Sequence, residues 1–442
     1  RGAAAAREAE PCRPAAASRP PAAAEAAAAI AAAARHGAWV TPRAGGTGKS
    51  GGAIPAAGGL VVACDHLKAI KEIHEGDMVA VVEPGVVLAD LHREVEARGL
   101  FYPPDPASLD SCCLGGNVAE NAGGPRAFKY GVTSHYLLGL DVAMPTGGVL
   151  GFGHRPVKGV AGYDLAALFA GSEGTLGFFT GMTLRLLPRP PHVSAALALW
   201  DGAPAAGRGI GAVLAAGIVP RVMEIMDREC IETMREAGSP LPGGIGALVI
   251  MEFDGSEAAV GHDLERAGEA MTAAGAGEVL VAAGPAEQAS LWRARRGISD
   301  ALKKKWAHKI ADDVAVPRGR LVEAIARIEE IGARHGIASA TYGHAGDGNL
   351  HVNYLWSDPA LCGAGEGARA ETMRMAVDMG GTISGEHGIG LTKRRFLAME
   401  LGEGIMDLSR RLRAAIDPGG IMNPGKMFQE VSSLGHSDRS RS

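Results

Sequence analysis

Several features that mark other protein classes are missing from this 442-residue chain. Its 44 basic and 49 acidic side chains give a net charge of −5 with no dominant basic patch, which argues against a dedicated nucleic-acid-binding protein. No segment approaches the roughly 20 apolar residues of a membrane-spanning helix. The first residues also lack the pattern of a secretory signal peptide. We therefore expect a cytoplasmic protein, with peripheral association at the inner membrane face left open.

Cysteine usage excludes a second set of classes. The chain has six cysteines, and none follows the spacing of a zinc site, a redox pair or an iron–sulfur cluster. Cys112 and Cys113 are adjacent, which does not suit a disulfide framework. This usage is typical of a protein from a reducing compartment.

Glycine, in contrast, is abundant. The 64 glycines are about twice the usual share of roughly 7%. They lack the three-residue period of collagen, which excludes that class. The backbone must therefore turn tightly, adopt positive φ angles or approach a ligand closely at many points.

The length predicts two to three domains, and strands alternate with helices in both halves. Alanine-rich residues at the start of the chain can form a helix over 22–36, ended by Gly37, but can bury little surface. The Pro-Arg-Pro-Pro run at 188–191 is typical of a linker. We predict four segments: a low-complexity segment 1–37, domains 38–189 and 190–428, and a disordered tail 429–442.

Apolar spacing predicts individual elements. The predicted strands are one starting at Trp39, then Leu60–Ala63, Met78–Val82, Val193–Trp200 and Ala247–Phe253. The predicted helices are Leu88–Arg98, Glu257–Ala274, Leu321–His335 and a short terminal Leu408–Ile416.

Residues 45–50 read GGTGKS, which is similar to the end of a nucleotide-binding P-loop. Arg43 stands where the first glycine of that loop belongs, so a nucleotide triphosphatase is disfavoured. Residues 42–52 nevertheless hold five glycines in eleven positions. Such loops can aim several backbone N–H groups at one anion, and the alternative is a flexible surface loop.

Two further glycine-rich runs follow in order. Residues 114–124 read LGGNVAENAGG, with Lys129-Tyr130-Gly131 shortly after, and residues 162–177 read GYDLAALFAGSEGTLG. This order resembles the FAD-binding domain of the vanillyl-alcohol-oxidase and p-cresol-methylhydroxylase (PCMH) superfamily. Within it, the resemblance is to the branch of glycolate oxidase D-subunits, D-lactate dehydrogenases and D-2-hydroxyglutarate dehydrogenases, over about residues 38–428.

The resemblance implies an α+β fold. A two-subdomain PCMH-type FAD-binding domain would precede an α+β cap (substrate) domain with an antiparallel sheet, and the C-terminal segment would pack back on the FAD domain. Residues 42–52 contain no histidine for a covalent link, so we expect non-covalent FAD. Lys49 stands where the branch usually carries leucine. The implied FAD-binding residues are Pro42, Arg43, Ala44, Gly45, Gly46, Thr47, Gly48, Lys49, Ser50, Gly115, Gly116, Asn117, Asn121, Gly123, Gly124, Tyr130, Gly131, Glu173, Gly174, Thr175, Gly177 and Asn423.

Residues 343–354 read GHAGDGNLHVNY. Asp347-Gly348 is a turn signal, and pairing of its flanks would bring His344 and His351 close together. Two imidazoles on one wall begin a divalent metal site, although such pairs are more often structural.

Residues 384–390 read SGEHGIG. Both runs are similar to hallmark C-terminal motifs of the same branch. The resemblance implies that His344, His351 and Glu386 hold Zn²⁺ or Mn²⁺. It also implies that His387 is the catalytic base, and that His387 and Asn353 contact the substrate.

The run LWRARRGIS at 291–299 is similar to the branch segment that binds the substrate carboxylate. The resemblance places Arg295 on the carboxylate arginine, Ser299 on a nearby hydroxyl and, with looser spacing, Lys309 on a further lysine. A guanidinium grips a carboxylate at two points. Arg293 and Arg296 compete for that role, because three arginines in four helical positions cannot face one pocket.

Together the resemblance implies FAD-dependent oxidation of a D-2-hydroxy acid, such as glycolate or D-lactate, to the 2-oxo acid. Electrons would pass to a quinone, a cytochrome, an electron-transfer flavoprotein or an iron–sulfur partner subunit. We expect a homodimer or membership of a complex. The alternatives are a flavin-binding subunit with little activity alone and a non-redox enzyme of the alkylglycerone-phosphate synthase type.

Overall fold

The computed structural model describes residues 12–282 and 284–428, and the predicted tail 429–442 lies outside them. The strands are β1 Ala16–Ser18, β2 Val40–Arg43, β3 Leu60–Ala63, β4 Ile70–His74, β5 Val79–Val82, β6 Leu100–Phe101, β7 Leu137–Ala143, β8 Val149–Gly153, β9 Phe178–Arg185, β10 Leu187–Pro188, β11 His192–Trp200, β12 Val222–Asp227, β13 Ala247–Gly255, β14 Glu278–Val281, β15 His308–Ala315, β16 Ala338–His344 and β17 Asn349–Trp356. The helices are α1 Ala23–Arg35, α2 Leu88–Glu96, α3 Leu114–Glu120, α4 Ala127–Tyr130, α5 Leu165–Phe169, α6 Ala203–Ala215, α7 Arg228–Glu236, α8 Glu257–Ala273, α9 Pro285–Lys305, α10 Leu321–Arg334, α11 Cys362–Asp378 and α12 Arg394–Ile416. Short 3₁₀ turns lie at Thr133–Tyr136, Arg318–Arg320 and Pro359–Leu361.

The chain divides into two compact units. The first unit contains residues up to 123, residues 132–189 and residues from 386 onward. The second unit contains residues 124–131 and 190–385. The break after Arg189 falls in the predicted linker, and the return of the chain at Glu386 agrees with the expected packing of the C-terminal segment on the first domain.

The first unit contains two main sheets. A three-stranded parallel sheet has the order β1-β3-β2, and a five-stranded antiparallel sheet has the order β4-β5-β9-β7-β8. The predicted strand at 60–63 is confirmed by β3, and the helix predicted from Leu88 is confirmed by α2. Gly99 follows α2 with a φ of 71°, as its predicted role in ending the helix requires.

The alanine-rich helix α1 buries more than its composition suggested. Ala26 and Ile30 are fully buried, and Ala27 and Ala33 are nearly so. They share a core with apolar side chains of β2 and β3 and with Ile421. The expectation that this stretch buries little surface was wrong, because small side chains on one helix face let the backbone pack closely against the sheet.

The C-terminal segment completes the first unit. Met422 forms a parallel bridge with Val40, and the Asp417 carboxylate accepts hydrogen bonds from the backbone amides of Ile421 and Met422. Helix α12 begins at Arg394, earlier than the predicted Leu408, and breaks at Gly402, whose φ is 70°. The longer helix was missed because its first half is rich in charged residues and lacks a clear apolar period.

The second unit is built on an antiparallel sheet, as predicted, and this sheet has seven strands. Its order is β14-β11-β13-β12-β16-β17-β15. Leu197 and Leu199 pack on α7 and α9, whereas the ring of the next residue, Trp200, lies against Gly209 of α6. Because alternate side chains of β11 point to opposite faces, helices cover both sides of the sheet. Among the described residues, no helix is long and apolar enough to span a bilayer.

Candidate flavin and substrate sites

The glycine loop 42–52 begins where β2 ends, inside the first unit. A Cβ atom at Gly45 would stand 2.7 Å from the Ser111 carbonyl oxygen and 3.2 Å from the Cys113 nitrogen. Only glycine fits such a close approach. The loop therefore lies directly against the residues that lead into α3 and its LGGNVAE sequence.

The third predicted motif joins the same region. The Asn423 side-chain amide donates hydrogen bonds to the Glu173 carbonyl at 2.6 Å and to the Gly52 carbonyl at 3.0 Å. Asn423 thus ties the SEGTLG run to the first glycine loop. Of the predicted FAD-binding residues, all but Gly124, Tyr130 and Gly131 belong to the first unit.

The residues present fit a ligand rich in polar groups. Ser50 Oγ and Asn423 Oδ1 are buried and have no hydrogen-bond partner within the part of the chain that the structure describes. Buried polar atoms normally have partners. Together with the close-packed glycine backbone, these two atoms suit a phosphate-containing dinucleotide such as FAD.

The Glu173 carboxylate is directed at the SGEHGIG loop. It accepts hydrogen bonds from the backbone amides of Ile389 at 2.6 Å and Gly390 at 2.7 Å. Burial raises the pKa of Glu173, and the two amides and the nearby Lys426 act in the opposite direction. The side chain of this predicted FAD-binding residue is thus occupied by the protein itself.

Lys426 is a further buried group that the sequence did not single out. Its side chain is fully buried, and Nζ donates a hydrogen bond to the Ile54 carbonyl at 2.6 Å. Burial lowers the pKa of Lys426 to about 8, and the charge of Glu173 opposes that shift. The sequence offered one signal for this buried group: a basic residue three positions after Asn423, in an otherwise apolar terminal run.

His387 and Glu386 both lie in the first unit. The His387 side chain is 22% exposed, and its Nε2 stands 3.7 Å from Glu386 Oε1. A side chain with this much exposure can meet a small molecule. The next residue, Gly388, has a φ of 78°, so the backbone turns sharply directly after His387.

The predicted histidine hairpin is confirmed. β16 and β17 pair antiparallel across the Asp347-Gly348 turn, with His351 opposite Tyr342. The imidazole rings of His344 and His351 have centroids 5.1 Å apart and stand edge-on at 84°. Both side chains are buried. The hairpin thus brings the two imidazoles together as the turn signal predicted.

Glu224 of β12 is the main residue that sequence reasoning missed. Its fully buried carboxylate accepts a hydrogen bond from His344 Nδ1 on one oxygen and from Arg295 Nε on the other. A proton on Nδ1 leaves the lone pair of a neutral imidazole on Nε2, the form that ligates metals. An acidic residue within the apolar run VMEIM of this strand was the signal in the sequence.

Helix α9 directs one arginine inward. Arg295 is 6% exposed and its guanidinium lies 4.5 Å from the centre of the Tyr342 ring, whereas Arg293 and Arg296 are exposed. This confirms that the three arginines do not share a pocket. Arg295 is the only one of them placed beside the histidine hairpin.

Three more predicted substrate-binding residues, Ser299, Lys309 and Asn353, lie in the second unit. Lys309 Nζ donates hydrogen bonds to Ser299 Oγ at 2.9 Å and to the Ser299 carbonyl at 3.0 Å. Asn353 is 1% exposed and donates to the Ala340 carbonyl at 3.1 Å. Its Oδ1 is buried and has no hydrogen-bond partner among the described residues, so a polar ligand would satisfy it.

Residues 124–131 follow a flavin motif in sequence but belong to the second unit. The Asp254 carboxylate forms an ion pair with Lys129 and accepts a hydrogen bond from the Tyr130 hydroxyl at 2.6 Å. The Phe128 ring packs against Gly346 in the turn between the two histidines, and the Arg318 guanidinium stacks over that ring at 5.5 Å. The hydroxyl of Tyr130, one of the predicted FAD-binding residues, is therefore bound to Asp254.

Comparison with known proteins agrees with this architecture. The family described as FAD linked oxidases, C-terminal domain, matches residues 189–427, and an FAD binding domain matches residues 14–153. The chain is 39% identical to the glycolate oxidase subunit GlcD of Bacillus subtilis, over 85% of this chain and 80% of that protein. It is 33% identical to a D-lactate dehydrogenase of Anaerostipes hadrus, over 86% and 82% of the two chains.

Solved structures share the fold at low identity. A 4-ethylphenol oxidase from Gulosibacter chungangensis superposes with a TM-score of 0.74 at 20% identity, covering 94% of this chain and 90% of that one. A p-cresol methylhydroxylase superposes with a TM-score of 0.70 at 15% identity, covering 94% and 89%. These likenesses confirm the predicted PCMH-type architecture. The chain belongs to the family of FAD-linked oxidases, which are flavin-dependent oxidoreductases.

Proposed function

We propose that this protein oxidises a D-2-hydroxy acid, of the size of glycolate or D-lactate, to the 2-oxo acid. The observation that carries the proposal is the buried carboxylate of Glu224, which holds Arg295 and His344 at the same point. A fixed guanidinium beside two imidazoles suits a substrate that carries a carboxylate next to a hydroxyl. Relatives named glycolate oxidase subunit, D-lactate dehydrogenase and D-2-hydroxyglutarate dehydrogenase support this substrate class.

FAD, when bound, supplies the two-electron acceptor for the α-hydrogen of the substrate. We propose that the glycine loop 42–52, the start of α3 and the SEGTLG run hold it without a covalent bond. Acid precipitation tests the last point. The yellow colour should remain in the supernatant, and colour that stays with the protein pellet would show a covalent link.

A divalent metal, Zn²⁺ or Mn²⁺, would lower the pKa of the substrate hydroxyl as a Lewis acid. We propose His344 and His351 as two ligands, with Glu386 as the third. The donor set suits such an ion, because Glu224 fixes the His344 tautomer in the manner of many metal-bound histidines. Imidazole and carboxylate are also common ligands of both metals.

The remaining steps belong to the chain's own side chains. Arg295 binds the substrate carboxylate through its terminal nitrogens, while Glu224 holds Nε and fixes the plane of the guanidinium. The amide oxygen of Asn353 accepts a hydrogen bond from the substrate. His387 removes the hydroxyl proton, because a neutral imidazole is a suitable base near pH 7. Ser299 and Lys309 complete the carboxylate site.

Anaerobic mixing with a panel of D- and L-2-hydroxy acids tests the proposal. Bound flavin should bleach with D-acids and with glycolate, and turnover should appear when an artificial dye acceptor is added. A holoprotein that none of these acids reduces would contradict the assignment. The preferred acid in the panel then identifies the substrate.

A second candidate is a flavin-binding subunit of an electron-transfer complex with little activity alone. The word subunit in the names of the GlcD relatives favours it. The electron acceptor would then be an iron–sulfur partner subunit in place of a quinone, a cytochrome or an electron-transfer flavoprotein. We expect substrate to bleach the flavin of the isolated chain. That result would favour an enzyme that is active by itself, whether it forms a homodimer or belongs to a complex.

A further inference from the structure

We propose that Glu173 is a positioning residue for the catalytic base, and that it acts through the loop carrying His387 and not through contact with FAD. This inference rests on the proposed role of His387. The loop is the SGEHGIG run at 384–390, and Glu173 comes from the SEGTLG run more than 200 positions earlier in the chain. Glu173, His387 and the residues that join them all lie in the first unit.

The contact between Glu173 and the loop uses the whole carboxylate. Oε1 accepts the Ile389 amide at 2.6 Å, and Oε2 accepts the Gly390 amide at 2.7 Å. Glu173 is only 5% exposed, so water cannot readily replace either bond. Hydrogen bonds to a charged acceptor are about twice as strong as neutral ones. They hold the peptide groups that begin two residues after His387.

The first glycine loop holds the next peptide group of the same segment. The Leu391 amide donates to the Ser50 carbonyl at 2.8 Å, and Gly390 packs so closely on that carbonyl that a Cβ atom would collide with it. Gly390 also has a φ of 49°. The loop end is therefore clamped between the first glycine loop and Glu173.

Glu173 is itself fixed at its backbone. Its φ is 51°, which costs energy for a residue other than glycine or asparagine. The Asn423 side chain secures the Glu173 carbonyl at 2.6 Å and the Gly52 carbonyl at 3.0 Å. The Glu173 amide also donates to the Ala119 carbonyl at 2.8 Å, so this strained residue is held at both its carbonyl and its amide. An anionic carboxylate would also be an unfavourable neighbour for the phosphates of FAD, which agrees with its orientation toward the loop.

The conservative substitution Glu173→Gln separates positioning from flavin binding. Its carbonyl can still accept one amide, but its NH₂ group faces the second N–H and leaves it unsatisfied. The loop should then shift by a fraction of an ångström, and a displacement of about 1 Å can cost about 100-fold in rate. We expect the rate constant of flavin reduction to fall about 10- to 100-fold, with FAD content and substrate Kd unchanged.

Glu83→Gln is the matched control. Glu83 lies in the same unit and is partly buried; it accepts the Ala69 amide at 2.9 Å and pairs with Lys71 at 3.1 Å, and both of these partners lie outside the flavin motifs and the SGEHGIG loop. The bound flavin of Glu83→Gln should be reduced at the wild-type rate. A wild-type rate in Glu173→Gln would overturn the inference, as would loss of FAD from folded Glu173→Gln.

A double-mutant comparison keeps this result separate from the proposed function. If Glu173 acts only through His387, adding Glu173→Gln to His387→Ala should cause no further loss in the residual rate of flavin reduction. Multiplicative losses would overturn the inference. Near-wild-type reduction by His387→Ala alone would instead contradict the assignment of the base.

Limited trypsin digestion of the FAD-loaded protein gives a readout that does not depend on the reaction. Lys393 follows the loop and is 2% exposed, so wild type should resist cleavage there. Cleavage after Lys393 should accelerate in Glu173→Gln and remain slow in Glu83→Gln. Equal protection in all three proteins would show that the loop does not depend on Glu173.

Discussion

Arg295 and His344 are held by the two oxygens of one buried carboxylate, that of Glu224. One helix and two strands of the second unit meet at this point. The shared acceptor makes the direction of the guanidinium and the tautomer of the imidazole depend on the same residue. A change at Glu224 should therefore affect both substrate binding and metal binding.

Glu224→Gln should weaken Zn²⁺ or Mn²⁺ binding about 10- to 100-fold, as is typical for groups that orient metal ligands. The new amide can place its NH₂ group against His344 Nδ1 and disfavour the tautomer that ligates through Nε2. Equilibrium dialysis against a metal buffer measures the change. The control is Glu252→Gln in the adjacent strand β13. The Glu252 carboxylate accepts a hydrogen bond from Trp292 Nε1 and forms an ion pair with Arg221. Equal metal affinity in wild type and Glu224→Gln would contradict the prediction.

His387→Ala should abolish turnover and leave FAD bound. The imidazole is the proposed acceptor of the hydroxyl proton, and its side chain is 22% exposed. Flavin content and dye reduction measure the two effects. Turnover near the wild-type rate would exclude His387 as the base.

Treatment with a chelator tests the proposed metal. Activity should be lost with the ion, and full activity in protein shown to be metal-free by elemental analysis would contradict the role of the metal.

Asp254→Asn should destabilise the second unit. The Asp254 side chain is fully buried and forms an ion pair with Lys129, with Arg221 Nη1 at 3.6 Å. Removing one partner of a buried charge cluster costs about 3 kcal/mol. Thermal unfolding should shift to lower temperature, and Asp90→Asn on the exposed face of α2 serves as control. An unchanged midpoint would show that residues 124–131 are held by other contacts.

Asp227 should make stability depend on pH. Burial raises the pKa of Asp227 from 3.8 to about 6, although it accepts the Cys230 amide. The folded protein then binds a proton more tightly than the unfolded chain, so this contribution to stability is fully present below pH 3.8 and is lost as the pH rises through 6. The stability of Asp227→Asn relative to wild type should therefore decrease as the pH is lowered from 7 to 5. A difference that does not vary with pH would contradict this.

Ile30→Ala should reveal that α1 is part of the core. Ile30 is fully buried among β2, β3 and the C-terminal residues, and such truncations cost about 2–5 kcal/mol. Urea unfolding measures the loss, with Glu25→Ala on the exposed face as control. A loss no larger than that of the control would mean that the helix is peripheral to the first unit.

Local sequence predicted much of this protein because many of its signals act over short distances. The Asp347-Gly348 turn with apolar flanks was enough to bring the side chains of His344 and His351 together, because a hairpin brings the two flanks of its turn together. Helix α8 was predicted to within one residue at each end. The spacing of Arg293, Arg295 and Arg296 on one helix predicted that they could not all face one pocket, and of these three only Arg295 is buried.

Tertiary structure alone decided which distant groups meet. Glu224 and Arg295 are 71 positions apart, and Glu173 and Gly390 are 217 apart. No local pattern encodes such pairs. Each carboxylate offsets the cost of burying its partner, and which groups are buried together is decided only when the strands and loops pack. The alanine-rich helix became core for the same reason: its burial depends on the sheet beneath it. The sequence by itself determined the family, the flavin motifs and the histidine hairpin, whereas the partner of each buried charge followed from packing.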